Sequence, residues 1–447
     1  MKHLARVWTS ILLAALLLTA GLSGCTPHRE LRELAIVEGI GVDQNTDGSF
    51  FVTFQIYKPS SSGGNSDKGS TSEQTTIVQG SGVSMFDASR NVTLQMGKKL
   101  YYANCNIFIL GREVCQTGMF QIIDFLNRNH EINAKQRIFM SATKASDILT
   151  TQQSGKYISA HDLRLLSENY YNTSQMVDQQ LGDLNDHLNG GITAPFLGVL
   201  QVEQAGTSNA GQSPTGGQSS SGQSSSSQSS SSQSSSSQSS SSQSSSGQSS
   251  SSQSSSSQSS SGQSSGGGQS ADQIVRAEGT AIFSRQGKLL GVMDKNATRG
   301  LLWIDDSVRS GVINVSAPEF GQASLEIRKA SSTVHVVSRQ GKPAIQVSVK
   351  FFTGLTDVRL PAGRSLDTAT IRKIVEKQNE AVRGEIESAL QFALRQQNAD
   401  IFGFGQKIYE FQPKTWRLLS KSWDTMAGQT DVEVSVNSEI NHSGLIF

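Results

Sequence analysis

Cysteine is scarce in this 447-residue chain, with three in all: Cys25, Cys105 and Cys115. That excludes the dense disulfide framework that staples small secreted domains. No Cys-x-x-Cys pair and no cluster of histidines is present, so the usual metal-ligand spacings are missing and no metal or other cofactor is expected. Charge is thin as well. Asp, Glu, Lys and Arg make up 17% of the residues and the formal net charge is +1. Without a basic stripe, the chain lacks the electrostatic footprint of a nucleic-acid binder. Catalytic signatures are also wanting. There is no Gly-x-Ser-x-Gly elbow at a strand-to-helix junction, no His-Glu-x-x-His and no P-loop lysine. Gly403-Phe404-Gly405 is a fragment of a dinucleotide fingerprint that follows a helix where the fingerprint needs a strand, so it reads as a structural turn. No catalytic and no cofactor-binding residue is therefore assigned.

What is present begins at the N-terminus. Lys2 and Arg6 precede an apolar run from Ile11 to Ala20. The run is about ten residues, against the roughly 20 a helix needs to cross a bilayer. It reads as a secretory signal over residues 1–24. The signal closes on Leu22-Ser23-Gly24-Cys25, which resembles the lipobox of bacterial lipoproteins. That resemblance implies acylation of the Cys25 thiol and cleavage before it; the plainer alternative is an ordinary cleaved signal with a chance cysteine. Several acyl chains on one residue give stable anchoring, each buried methylene contributing about 0.8 kcal/mol. The expected location is extracytoplasmic, tethered to a membrane that the chain does not cross. Cys105 and Cys115 can pair there or stay as buried thiols. Cys105 precedes the strand-like run Asn106–Leu110, which favours burial.

Between about 204 and 271 the chain loses its apolar residues and becomes Gln-Ser-Ser-Ser-Ser repeats, with glutamine at 218, 223, 228 and onward to 263. A five-residue period suits neither helix nor strand and offers no face to bury, so the tract is expected to be disordered. As a flexible coil of that length it would span on the order of 40–45 Å. Two blocks long enough for real cores flank it, 25–203 and 272–447.

In the first block, Leu34–Asp43 and Phe51–Tyr57 read as a hairpin around Asp47-Gly48. Pro59–Glu73 reads as a loop, and Ser84 as the N-cap of a helix. Strands are expected through Ile107 and Ile138, a helix around 119–126, and helix from Lys144 to about Leu188. The second block opens on a hairpin, Thr280–Phe283 and Leu289–Val292. Alternating strands follow through Val334, Ile345 and Val432, and read as an antiparallel sheet with one wet face. A long helix from Asp367 to about Gln397 carries Ile374, Val382, Ile386 and Leu390 on one stripe that packs on its own sheet. Trp416 and Trp423 lie among Lys414, Arg417 and Lys421. Amphipathic burial explains them, with a partner or headgroup contact as the alternative. The fold class is α+β and multi-domain, with antiparallel-rich sheets covered by helices and a disordered Ser/Gln linker.

Four stretches carry a family resemblance. Arg29–Asp43 directly after the lipobox cysteine, Gly279–Phe283 with Lys288–Gly291, Ala399–Gly405 with Pro413–Trp416, and more loosely Lys98–Arg128 resemble the Ger(x)C lipoproteins, the C subunits of spore germinant receptors. The resemblance spans nearly the whole chain outside the Ser/Gln tract. It implies several α+β domains on the outer face of the spore inner membrane. It also implies action with an A subunit and a multi-pass B subunit that together sense nutrients. No catalytic residue carries over from it. The tryptophan usual after the lipobox cysteine is replaced by Thr26-Pro27, and the Ser/Gln insert parts regions the family joins closely. The reading from another class is a solute-binding lipoprotein feeding a transporter, which would call for two α/β lobes around a cleft.

Because the tract has nothing to bury, deleting residues 218–263 should leave the thermal melting of the chain unchanged, and limited proteolysis should cut the intact protein there first. Resistance of the tract to protease would show that it is ordered or covered.

Overall fold

The structure, a computed structural model, describes residues 30–58, 74–153, 156–204 and 273–442, with parts of 3–14. Cys25, His28, the Pro59–Glu73 segment and the Ser/Gln tract lie outside the described residues. The described parts of 30–204 and 273–442 form one compact unit.

The opening hairpin is β1 (Leu34–Gln44) and β2 (Phe50–Lys58), and β3 (Gln74–Gly82) adds antiparallel to β2. Helix α1 (Met85–Met96) starts as expected at Ser84, whose side chain accepts the Asp87 N–H. Short strand β4 (Lys99–Tyr101) follows, then β5 (Ile107–Leu110), α2 (Arg112–Thr117), α3 (Phe120–Arg128) and β6 (Arg137–Ser141). The continuous helix expected after Lys144 is instead three: α4 (Ala145–Thr150), α5 (Ala160–Glu168) and α6 (Leu181–Gly190). Thr150-Thr151 ends the first, and a small hairpin, β7 (Gln152–Gln153) with β8 (Lys156–Tyr157), intervenes. Ser159 and Asp162 then form a capping box that fixes a fresh helix start.

Strand β9 (Phe196–Gln204) closes the first block, and β10 (Gln273–Phe283) with β11 (Leu289–Met293) opens the second. The boundary drawn between the blocks from sequence falls between neighbouring strands. Val275 stands opposite Val202 and Ile282 opposite Phe196 in an antiparallel ladder. One nine-stranded sheet results, in the order β11-β10-β9-β6-β5-β1-β2-β3, with β4 also on β1. Its edges are antiparallel, whereas its middle is parallel: β1 with β5, β5 with β6, and β6 with β9. Parallel neighbours need crossovers, which α2–α3 and α4–α6 supply. Both faces of this middle are covered. Phe108, Leu110, Ile138 and Met140 point into one core with α1 and α3, while Ile107, Ile109 and Phe139 point into another with α4 and α5.

The remaining elements build a second layer. Helix α7 (Lys295–Ile304) is buried from Ala297 to its end. Strands β12 (Val312–Ala317), β13 (Gly321–Arg339), β14 (Lys342–Arg359) and β15 (Asp431–His442) form a four-stranded sheet in chain order. The pairing of β14 with β15 is parallel, where an all-antiparallel sheet was expected. The connection between them is long enough to cross back, and it holds α8 (Thr368–Ala389), α9 (Phe404–Phe411), α10 (Pro413–Leu419) and α11 (Trp423–Met426). Helix α8 packs its stripe inward as expected, and Gln378 on that face bonds Thr353 of β14 and Ser438 of β15. Its hydrogen bonding widens to a π-type turn over Leu390–Gln396.

One ion pair sits in this second core. Arg299 of α7 bonds both carboxylate oxygens of Glu385 on α8, with Nε to Oε2 at 2.9 Å. Its Nη1 donates to Val312 O, and Trp303 Nε1 donates to the same Glu385 Oε2 at 3.0 Å. Removing one partner leaves an uncompensated buried charge. Glu385→Ala should therefore lower the stability of the chain by about 3–5 kcal/mol in a urea titration, and a loss below 1 kcal/mol would show that water reaches Arg299.

Candidate functional site

A cavity of about 1010 Å³ is an open groove between α1 and α3 beside β4. Its floor is apolar: Phe50, Met85, Leu100 and Tyr102 are buried, and Phe125 meets the Tyr102 ring edge to face at 6.5 Å. Its rim is charged. Lys99 pairs with Glu131 at 2.7 Å and Arg128 with Asp124 at 2.8 Å, while Arg90 lies 4.9 Å above the Phe86 ring.

Two groups at the groove are shifted by their surroundings. Burial pushes the Tyr102 phenol up to about 12. At Glu131 burial raises the carboxyl, but Lys99 and the Tyr102 N–H outweigh it and hold the group below the ordinary carboxylate range. The hydroxyls are occupied too: Ser89 donates to Met85 O and Thr93 to Ser89 O, in addition to the Ser84 cap. The apolar floor and charged rim are suited to holding an amphipathic group. Among the described residues no cluster of three or more His, Cys, Asp or Glu could hold a metal, and no helix is long and apolar enough to cross a membrane.

The groove was not read from the sequence. Its trace there is that Phe86, which lines the groove, falls off the buried stripe Met85, Ala88, Ser89 and Val92 and stands exposed. Cys105 and Cys115 are free and buried, the arrangement favoured above, and burial pushes both thiols far up. His335 is exposed on its strand, and Trp416 and Trp423 are buried.

Two of the resemblance motifs now have a physical account. In the first, Asp43 at the end of β1 accepts Ala145 N–H at 2.7 Å and Ser146 N–H at 2.9 Å, capping α4 across the sheet. Gly39 and Gly41 precede it because a Cβ there would meet Ala160 Cβ at 2.8 Å and Ala145 Cβ at 3.1 Å. In the second, the buried carboxylate of Asp400 accepts N–H groups from Phe402, Phe404 and Gly405, the last at 2.7 Å, and the Trp423 indole at 3.1 Å. Its own carbonyl accepts the Ala194 N–H ahead of β9. Burial raises the Asp400 carboxyl above its usual range against the pull of these donors. Gly403-Phe404-Gly405 is thus a helix start built on a carboxylate, with no phosphate cradle.

The chain is a mixed α+β protein of two joined sheets, bearing a groove equipped for binding. It belongs to the GerAC-like family of spore germination proteins. Residues 27–202 match the spore germination protein N-terminal domain, and residues 278–444 match the domain described as spore germination B3/GerAC like, C-terminal. Spore germination protein KC of Bacillus subtilis (strain 168) is 21% identical over 446 residues, covering 97% of this chain and 96% of that protein. Spore germination protein B3 of the same organism is 18% identical over 429 residues, 95% of each chain. The crystal structure of the GerBC protein shares the fold, with a TM-score of 0.52 at 13% identity, covering 90% of this chain and 97% of that one. The family places the chain in spore germination.

The Asp400 turn gives a graded prediction. Gly403 has φ +70 and a Cβ there would meet only Thr193 Oγ1 at an ordinary 3.8 Å, whereas a Cβ on Gly405 would stand 2.6 Å from Trp423 Nε1. Gly403→Ala should cost about 1 kcal/mol, and Gly405→Ala more, because it also displaces the indole from Asp400. Thermal melting checks the order, and an equal or reversed cost would refute the packing described.

Proposed function

We propose that the chain is the lipid-anchored C subunit of a spore nutrient germinant receptor, acting with A and B subunits to trigger germination. It carries no catalytic activity and no cofactor. Residues 1–24 are the signal, Cys25 takes the lipid, and 204–271 is a linker inserted between 25–203 and 272–447. The protein stands on the outer face of the spore inner membrane.

The observation that carries this reading is its span. Family domains match on both sides of the tract, and spore germination protein KC aligns over 97% of the chain. The Leu22–Cys25 signature lies just ahead of the first matched residues. The groove supports a binding role, since its apolar floor and paired rim offer a partner contact area without offering chemistry. We assign it to a partner subunit. The solute-binding alternative has less support: one continuous sheet runs through the unit that a two-lobed binder would divide at a cleft.

Replacing Cys25 with Ala should abolish lipid labelling, shift the protein out of the detergent phase on partitioning, and impair germination. Normal labelling of that variant would end the anchor assignment. In parallel, Phe86→Asp at the exposed groove lip should leave melting unchanged and reduce recovery of multi-pass subunits pulled down from spore inner membranes. Calorimetry with candidate nutrients separates the alternative, because a solute-binding protein would capture its solute alone.

A further inference from the structure

The corner formed by α9, α10 and the turn after them buries one side and leaves the other uncovered. Trp416 and Trp423 lie beneath it, edge to face at 5.5 Å, with Phe404 and Ile408 on the same inner side. On the outer side Phe411 is 63% exposed and Leu418 is 82% exposed. Lys414, Arg417 and Leu418 follow i, i+3, i+4 spacing and share the outer face of α10, and Lys421 stands exposed in the turn after it. Between Phe404 and Lys421 four cations face a single acid, Glu410, and that acid is already held by Lys407 at 3.5 Å. Lys414, Arg417 and Lys421 take part in no ion pair among the described residues. The excess is local, since the chain as a whole carries a formal net charge of +1.

We propose that this face rests on an anionic lipid surface. Bulky apolar tips set among unpaired cations are the signature of a helix lying in a membrane interface, where the tips enter the headgroup boundary and the long basic side chains reach phosphates. A protein partner fits less well, because protein interface cores are depleted in lysine and this face sets Lys414 and Lys421 around its apolar centre. The proposal rests on the anchored reading only for its proximity to lipid, since a tether at Cys25 would keep the face near a bilayer; its chemistry stands on α9 and α10.

The test uses the chain starting at Cys25 and left unacylated. The described core begins at Ala35, so this form retains the packing that the fold needs. It is sedimented with vesicles of phosphatidylcholine alone and of phosphatidylcholine mixed equally with phosphatidylglycerol. Binding is expected to the mixed vesicles only, and to weaken with salt. Lys414→Gln with Arg417→Gln should weaken it on the order of 30-fold. Phe411→Ser with Leu418→Ser should weaken it as well, and both pairs are exposed enough to leave melting unchanged. The proposal falls if the parent chain ignores mixed vesicles, or if both double variants sediment like the parent. It falls equally if the parent ignores vesicles while the variants lose recovery of other spore membrane proteins, which would make the face a protein interface. Lipid labelling at Cys25 is read separately, so the anchor and this face can fail independently.

Discussion

The antiparallel pairing of β9 with β10 is the constraint on which the rest of the structure depends. Residues 205–272 intervene in the chain, yet Phe196–Gln204 and Gln273–Phe283 run side by side over most of their length. Loop closure costs rise only with the logarithm of length. Stretching a connection of a few residues to this one, even if wholly unstructured, adds about 2.5 kcal/mol. A ladder that continues a sheet already present on one side can offset that. The insert is thermodynamically tolerable because it enters at a hairpin and not within a strand.

That pairing also decides how the cores meet. Along β9 and β10 successive side chains go to opposite faces. Leu197, Val199, Ala281 and Phe283 enter the core under α1 and α3. Phe196 and Ile282, one residue out of phase, enter the core built by α7, α8 and the four-stranded sheet. The Asp400 carboxylate secures the same junction from the other side, since its backbone carbonyl holds Ala194 while its side chain holds α9 and Trp423. A slip of one residue between β9 and β10 would exchange the two faces and empty both cores, so register here is fixed from two directions.

Local features of this fold were legible in the sequence because their causes are local. Ser84 capping α1, the start of the long helix at Asp367, the hairpin at Asp47-Gly48 and the inward stripe of α8 each follow from a few neighbouring residues. The burial of Cys105 and Cys115 followed from the apolar runs around them. The parallel middle of the large sheet was not legible. Ile107–Leu110 is apolar at every position, so its pattern gives neither direction nor neighbour. The groove escaped for a related reason: Phe86 looks like a core residue until the helix is placed and its other face is seen to be filled. Pairings between distant strands leave no trace in either strand alone.

The aspartates show how the polar groups are spent. Asp294 and Asp367 accept the N–H groups of Ala297 and Thr370 at helix starts, and Asp87 and Asp162 reach back to the N–H groups of Val83 and Ser159. Asp43 and Asp400 do the same over longer distances, buried and each holding more than one donor. Each N–H accepted favours the ionised form, but at Asp43 and Asp400 burial outweighs the donors and raises the carboxyl above its usual range. Asp305-Asp306 ends α7: Asp305 accepts the Ser307 hydroxyl, and Asp306 takes the N–H of Ser332 on β13. The acids named here are thus placed where they hold helix starts and turns together. Lys414, Arg417 and Lys421, by contrast, form no ion pair among the described residues and stand exposed on α10 and in the turn after it.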